Sequence, residues 1–135
     1  SAAFFTEALG LQSVSLSQEL TEKETAQIAE AVPSEVLFKG RAALMHLVHC
    51  PGRTAEGKNA CVHCTGRLYL EDRQQYRFLI TAFKMADCKQ IVWNSRCTDL
   101  KKYTQKLENM KVCLRIVAQD QNETAVTTGH FCRGV

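Results

Sequence analysis

The chain has 135 residues, of which 45% are hydrophobic and 23% charged, and its formal charge is +3. That length supports one domain with a real core, and the composition is that of an ordinary soluble globular protein. The mild charge allows RNA or another anionic partner without arguing for one. With no run of about 18 apolar residues, no membrane-spanning helix is expected.

No charged-then-apolar leader opens the sequence. Seven cysteines is a high and odd number. A secreted disulfide framework is more often even-numbered and smaller, so the count points to a reduced, cytoplasmic setting and a metal site.

Phe4, Phe5, Ala8 and Leu9 fit one face of a short helix, with Gly10 as its stop. Val14 and Leu16 alternate with serines, the period of a strand. Thr21 with Glu24 three residues on reads as a capping box, Ile28 and Val32 give the helix it opens an apolar stripe, and Pro33 ends it. The segment "EVLFKG" is a strand expected to close at Gly40. The alternation of helix and strand so far marks an α/β sheet with parallel strands.

The middle of the chain differs. "GRLYLED" and "QYRFLIT" are extended runs joined around Asp72–Gln75, a β-hairpin inserted between α/β units. "KQIVWNS" then reads as a strand. Leu100, Tyr103, Leu107 and Met110 share one helical face, with Thr98 or Ser95 as the expected cap, and "KVCLRIVAQ" is a last strand. The lysines at 101, 102, 106 and 111 read as a solvated face. The tail "TTGHFCRGV" has no period. The fold class expected is α/β, with partial β/α-barrel-like alternation and a β-hairpin insertion.

Residues 49–64, "HCPGRTAEGKNACVHC", gather three cysteines and two histidines. Cys61 and Cys64 form a C-x-x-C pair whose sulfurs can converge on one ion or one cluster edge. Cys50 lies upstream across a segment that Pro51, Gly52 and Gly57 allow to bend. A fourth ligand is needed to close a tetrahedral site or complete a four-iron cluster. Cys88, after the hairpin, is the first candidate, and His49 and His63 compete with it. An iron–sulfur cluster on four cysteines and a zinc ion on mixed ligands both fit the spacing. Free cysteines that serve only as small hydrophobes are the alternative, a reading that suits Cys113 within "VCLRIV" best.

The succession of "LSQEL", "LFKGRAALMHLVHCPG", C-x-x-C, "LEDRQQYRF", "IVWNS" and "TTGHFCRGV" resembles the second half of the collagenase-like peptidases of family U-32. The likeness runs from about residue 4 to the end. Departures fall at Leu79, at Arg96–Cys97 and at Cys132. The resemblance implies a β/α barrel with a β insertion, of which this single 135-residue domain would be a piece of a larger protein. The remainder of that protein would be its partner, and the exposed sheet edges would allow it to form homo-oligomers. Better understood relatives hydroxylate RNA bases or small aromatic quinone precursors. They hold a four-iron, four-sulfur cluster, whose ligands here would be Cys50, Cys61, Cys64 and Cys88. The family name implies proteolysis, for which the catalytic groups would lie outside this chain. A zinc-stapled, non-enzymatic binding module is the further alternative.

No H-E-x-x-H or G-x-S-x-G motif is present. The candidate catalytic residues are therefore those beside strand ends, where barrels place their chemistry. Glu19 follows the "SVSLS" strand. Arg41 follows Gly40, and is suited to an anionic substrate or to pairing with Glu19. His49 beside Cys50 is suited to hydrogen bonding with a cluster sulfur. His46 would share a face with His49 if that segment were helical. Asn94 is expected to close the turn after its strand, and His130 to cover the site.

Overall fold

The computed structural model describes residues 2–83, 88–117 and 126–132. In chain order the elements are α1 (Ala2–Leu9), β1 (Val14–Ser15), α2 (Glu22–Ala31), β2 (Ser34–Leu47), α3 (Pro51–Glu56), β3 (Arg67–Glu71), β4 (Arg77–Phe83), β5 (Lys89–Asp99), α4 (Thr104–Asn109), β6 (Cys113–Ile116) and β7 (Val126–Thr127). Short 3-10 turns at Gly57–Cys61 and Lys101–Tyr103 complete the order. The class is α/β with a mixed seven-stranded sheet. Its path runs β1-β2-β5-β4-β3, with β6 on β2 and β7 on β5. The chain divides into two compact units, Ser1–Gly40 with Arg96–Val135, and Arg41–Ser95. Strands β2 and β5 each contribute to both.

The first unit holds the parallel pairings. Val14 and Ser15 pair with Ser34 and Glu35, Glu35 to Lys39 run beside Cys113 to Ile116, and Cys97–Thr98 pair with Val126–Thr127. Its core is Leu16, Val36, Leu100, Leu107, Val112 and Phe131. Two sequence features build it. The Thr21 capping box is fully formed, with the Thr21 N–H donating to Glu24 Oε2 at 2.8 Å and the Glu24 N–H to Thr21 Oγ1 at 3.4 Å. The Thr21 N–H, joined by the Thr21 hydroxyl, which also donates to Glu24 Oε2 at 2.8 Å, holds the Glu24 carboxyl below its ordinary range. The face of Leu100, Tyr103, Leu107 and Met110 also forms, and Leu107 has no exposed surface. The cap, however, is neither Thr98 nor Ser95. Asp99 Oδ1 accepts from the Lys101 N–H at 2.9 Å, as a short carboxylate does at a turn. Lys106 Nζ reaches Glu22 at 2.8 Å, and the pair is half-solvated.

Three expectations for this unit change. Cys113 is exposed rather than buried, because β6 pairs only with β2 among the described residues, and all four of its residues face solvent. The last residues of the expected strand, 118–119, lie outside the described residues. Phe4 and Leu9 on α1 are exposed, so that helix has no buried apolar face through them. The tail that showed no period places Phe131 in the core, edge-on to Tyr103 with ring centroids 5.5 Å apart.

The second unit is an antiparallel meander of β3, β4 and the start of β5, together with the second half of β2 and the α3 segment. The hairpin falls where the sequence places it. Asp72 Oδ1 accepts from the N–H groups of Gln74 and Tyr76 at 2.8 and 2.9 Å, and Gln75 takes the left-handed conformation that closes the turn. Leu68 pairs with Ile80 and Ile80 with Val92, so these share one face with Gln90, which lies across from Ala82. Ile80, Val92 and Gln90 are buried.

Gly40 does not end β2. The strand runs on to Leu47, and Gly40 is a bend within it at φ +145°. A Cβ there would meet the Val117 Cβ at 2.9 Å. With His46 in an extended strand, its helical pairing with His49 does not form.

Candidate metal centre

The stretch after Cys50 is a helix rather than a loop. Pro51 occupies its first position, where the missing N–H costs nothing and the fixed φ already suits a helix. Cys50 is thereby its N-cap. The 3-10 turn that follows ends on Cys61, and Cys64 sits just ahead of β3. Cys88 immediately precedes β5, two positions before Gln90. All four cysteines line one cavity of about 910 Å³, together with His49, His63 and Leu68. Every residue lining it belongs to the 41–95 unit.

Two of the four sulfurs receive N–H hydrogen bonds. The Gly66 N–H donates to Cys64 Sγ at 3.3 Å. Gln90 Nε2 donates to Cys88 Sγ at 3.9 Å. At Cys50, burial pushes the thiol up, but the backbone N–H of Arg53, the Gln90 amide, the backbone N–H of Gly52 and the Arg53 charge together outweigh it. The thiol is held below its ordinary range. The two backbone N–H groups act without closing a capping hydrogen bond. A thiolate is the form that binds metal, so this environment prepares Cys50 as a ligand.

Among the described residues, no three His, Cys, Asp or Glu side chains converge closely enough to hold a single ion. A cluster sets a different requirement, because each thiolate binds a different iron and the sulfurs stand around the group rather than meeting at a point. Four thiols around a roomy cavity, with N–H donors already on two of them, make a donor set that fits a cluster better than one ion.

The other predicted residues separate. His49 lines the cavity, as does His63, and both are exposed. Glu19 is exposed in the first unit and does not line the cavity. Its N–H bonds the Ser17 hydroxyl at 3.3 Å, as in a local turn. Arg41 does not line it either. Its Nη1 donates to the backbone carbonyls of Asn94 at 2.7 Å and Ser95 at 3.1 Å, which joins β2 to β5. Asn94 and Ser95 are part of β5, so no turn closes there. His130 is exposed in the first unit.

Gln90 was not singled out by its sequence context. The available signal was a polar residue on the alternating face that Val92 shares, a buried face by period two. No protein-family model, no curated protein and no solved structure matches the chain.

Proposed function

We propose that this chain is the later part of a collagenase-like peptidase family U-32 protein, that Cys50, Cys61, Cys64 and Cys88 hold a four-iron, four-sulfur cluster, and that the whole protein hydroxylates an RNA base or a small aromatic in the cytoplasm. The observation that carries this reading is the gathering of those four cysteines, from three separate stretches of chain, around one cavity. On this reading the parallel pairings of the first unit are part of a β/α barrel, the meander is its insertion, and the rest of the protein supplies the missing strands. When bound, such a cluster supplies single-electron transfer. The chain's own contribution is to hold thiolates, donate N–H groups to them, and wall them with Leu68 and the buried face of the meander.

RNA is favoured over a small aromatic by the opposite face of the meander. Alternation places Tyr69, Arg77, Leu79, Thr81, Lys89 and Trp93 on that side. Tyr69 is 54% exposed, and the Arg77 guanidinium lies 4.7 Å from its ring centroid. Exposed rings among cations are what stack bases and attract phosphates. Trp93 is steadied by its Nε1–H on Thr81 Oγ1 at 2.8 Å.

The second reading is a zinc-stapled binding module, favoured by the presence of His49 and His63 beside the cysteines. The nominal peptidase, with its catalytic groups outside this chain, has no feature here to support it.

Anaerobic reconstitution with ferrous iron and sulfide, followed by metal analysis and visible spectroscopy, tests the proposal. Bound iron with acid-labile sulfide and broad visible absorption is expected, and each of Cys50→Ser, Cys61→Ser, Cys64→Ser and Cys88→Ser should reduce uptake. A colourless protein holding one zinc would replace the proposal with the module.

A further inference from the structure

Gln90 is a neutral, polar side chain with 1% of its surface exposed. It sits within β5 across from Ala82 and beside the buried pair of Ile80 and Val92, a place where an apolar residue would pack without cost. Its amide nitrogen is directed at a cysteine sulfur. It donates to Cys88 Sγ at 3.9 Å, and the same amide helps to hold the Cys50 thiol below its ordinary range. Its Oε1 is buried with no hydrogen-bond partner among the described residues. Leaving a buried acceptor unpaired is unfavourable, and turning the amide over would relieve nothing. The oxygen would then face electron-rich sulfur, and the two N–H groups would be the unpaired ones.

The two sulfurs belong to distant elements. Cys50 caps α3, and Cys88 stands at the mouth of β5. Cys88 and Gln90 are two positions apart, so an extended chain puts them on one side. A primary amide has two N–H donors at a fixed angle. One group can therefore set the separation and orientation of two ligands that the backbone does not connect directly.

We infer that Gln90 is a positioning residue for the cysteine centre, its amide donating one N–H to Cys50 and the other to Cys88. The inference rests on the four-cysteine reading above. Donors of this kind fix ligand orientation, and those that reach cluster sulfurs stabilise the more negative, reduced state. Removing them makes the centre easier to lose and harder to reduce.

The experiment has a metal-free and a metal-loaded arm. In the metal-free protein, nuclear magnetic resonance of the Gln90 side-chain amide should show one Nε2 proton moving on Cys50→Ala and the other on Cys88→Ala. In the reconstituted protein, Gln90→Met keeps the length of the side chain and removes both donors. It should lose iron to a chelator about 10- to 100-fold faster than wild type and show a lower reduction potential. If Gln90→Met does not fold, Gln90→Leu removes both donors without adding charge and should act in the same direction. Amide protons that ignore both cysteine substitutions would overturn the inference. So would variants that keep wild-type iron retention and potential, and that result would leave the cluster reading standing. Amide protons that respond in a protein taking up no cluster would uphold the Gln90 contacts and remove the cluster instead.

Discussion

Gly40→Ala should be among the most damaging single-methyl changes in this protein. Two costs combine at that position. The backbone has φ +145°, where an L side chain is strained, at about 1–3 kcal/mol for such conformations. The new methyl would sit 2.9 Å from the Val117 Cβ, 3.3 Å from the Val117 carbonyl oxygen and 3.4 Å from Leu37 Cδ1. Val117 cannot simply withdraw, because its N–H donates to the Lys39 carbonyl at 2.8 Å. Overpacking of this sort costs about 1–3 kcal/mol. Against both, alanine restricts the unfolded chain and recovers about 0.4–1 kcal/mol. The net expected loss is roughly 1–5.6 kcal/mol, a large part of the ~5–15 kcal/mol that holds a typical domain. Gly10→Ala is the control. Gly10 also has positive φ, +61°, but among the described residues nothing lies within 4 Å of its added Cβ. Only the left-handed penalty of about 1–2 kcal/mol applies, less the same unfolded-state gain. Urea unfolding of both variants at matched protein concentration gives the difference directly. Equal losses in the two variants, or a Gly40→Ala loss below ~1 kcal/mol, would refute the contact argument.

Two further outcomes follow from the second unit. In metal-free protein, the alkylation rate of Cys50 should rise with pH around a midpoint below the ~8.5 of a free thiol. The direction follows from the backbone N–H groups, the Gln90 amide and the Arg53 charge, which outweigh burial. The linked stability runs the same way: it is fully present above the unfolded thiol's pKa and is lost as pH falls through the lower, folded value. Cys50→Ala should remove that dependence. On the outer face of the meander, Tyr69→Ala should weaken binding of single-stranded RNA by about 1–3 kcal/mol, the usual worth of one stacked base. Arg77→Ala should weaken binding and flatten its salt dependence. Unchanged affinity in a filter-binding assay for both variants would remove RNA from that face.

What was legible in the sequence was local. The Thr21 and Glu24 spacing writes a capping box that needs no distant partner. Asp72 builds the hairpin turn from its own carboxylate, and the 100–110 face obeys the helical period. Punctuation by glycine and proline misled twice, for opposite reasons. Gly40 reads as a stop, yet it serves the close approach of Val117, a residue distant in sequence. Pro51 and Gly52 read as a loop, yet proline at the first helical position starts a helix. Cys113 shows the limit of pattern in β6. An apolar run of that kind usually belongs to a covered parallel strand, but whether anything covers it is a property of the rest of the fold. The same division holds at the candidate centre. Cysteine spacing marked the candidate ligands that line the cavity, because short-range geometry constrains C-x-x-C. The donors that prepare the sulfurs, Gly66 and Gln90, had no such mark, since only folding brings Gln90 to Cys50.

Arg41 carries the clearest reassignment, and it can be tested by separating stability from binding. A cation at a strand end suggests an anion-binding group, but here its guanidinium is half-buried and directed at two backbone carbonyls, those of Asn94 and Ser95. Hydrogen bonds from a charged donor contribute about 1.5–3 kcal/mol, so Arg41→Met, which keeps much of the aliphatic stem, should lower unfolding free energy by about that amount. Arg41→Lys keeps the charge but replaces a planar fork with a point donor, and it should recover only part of the loss. The bond joins β2, which leads to Cys50, with β5, which begins just after Cys88. Iron retention should therefore fall in step with stability across the two variants, while RNA affinity at the outer face stays at the wild-type value. A variant with wild-type urea midpoint and weakened RNA or substrate binding would refute the clamp and return Arg41 to an anionic ligand.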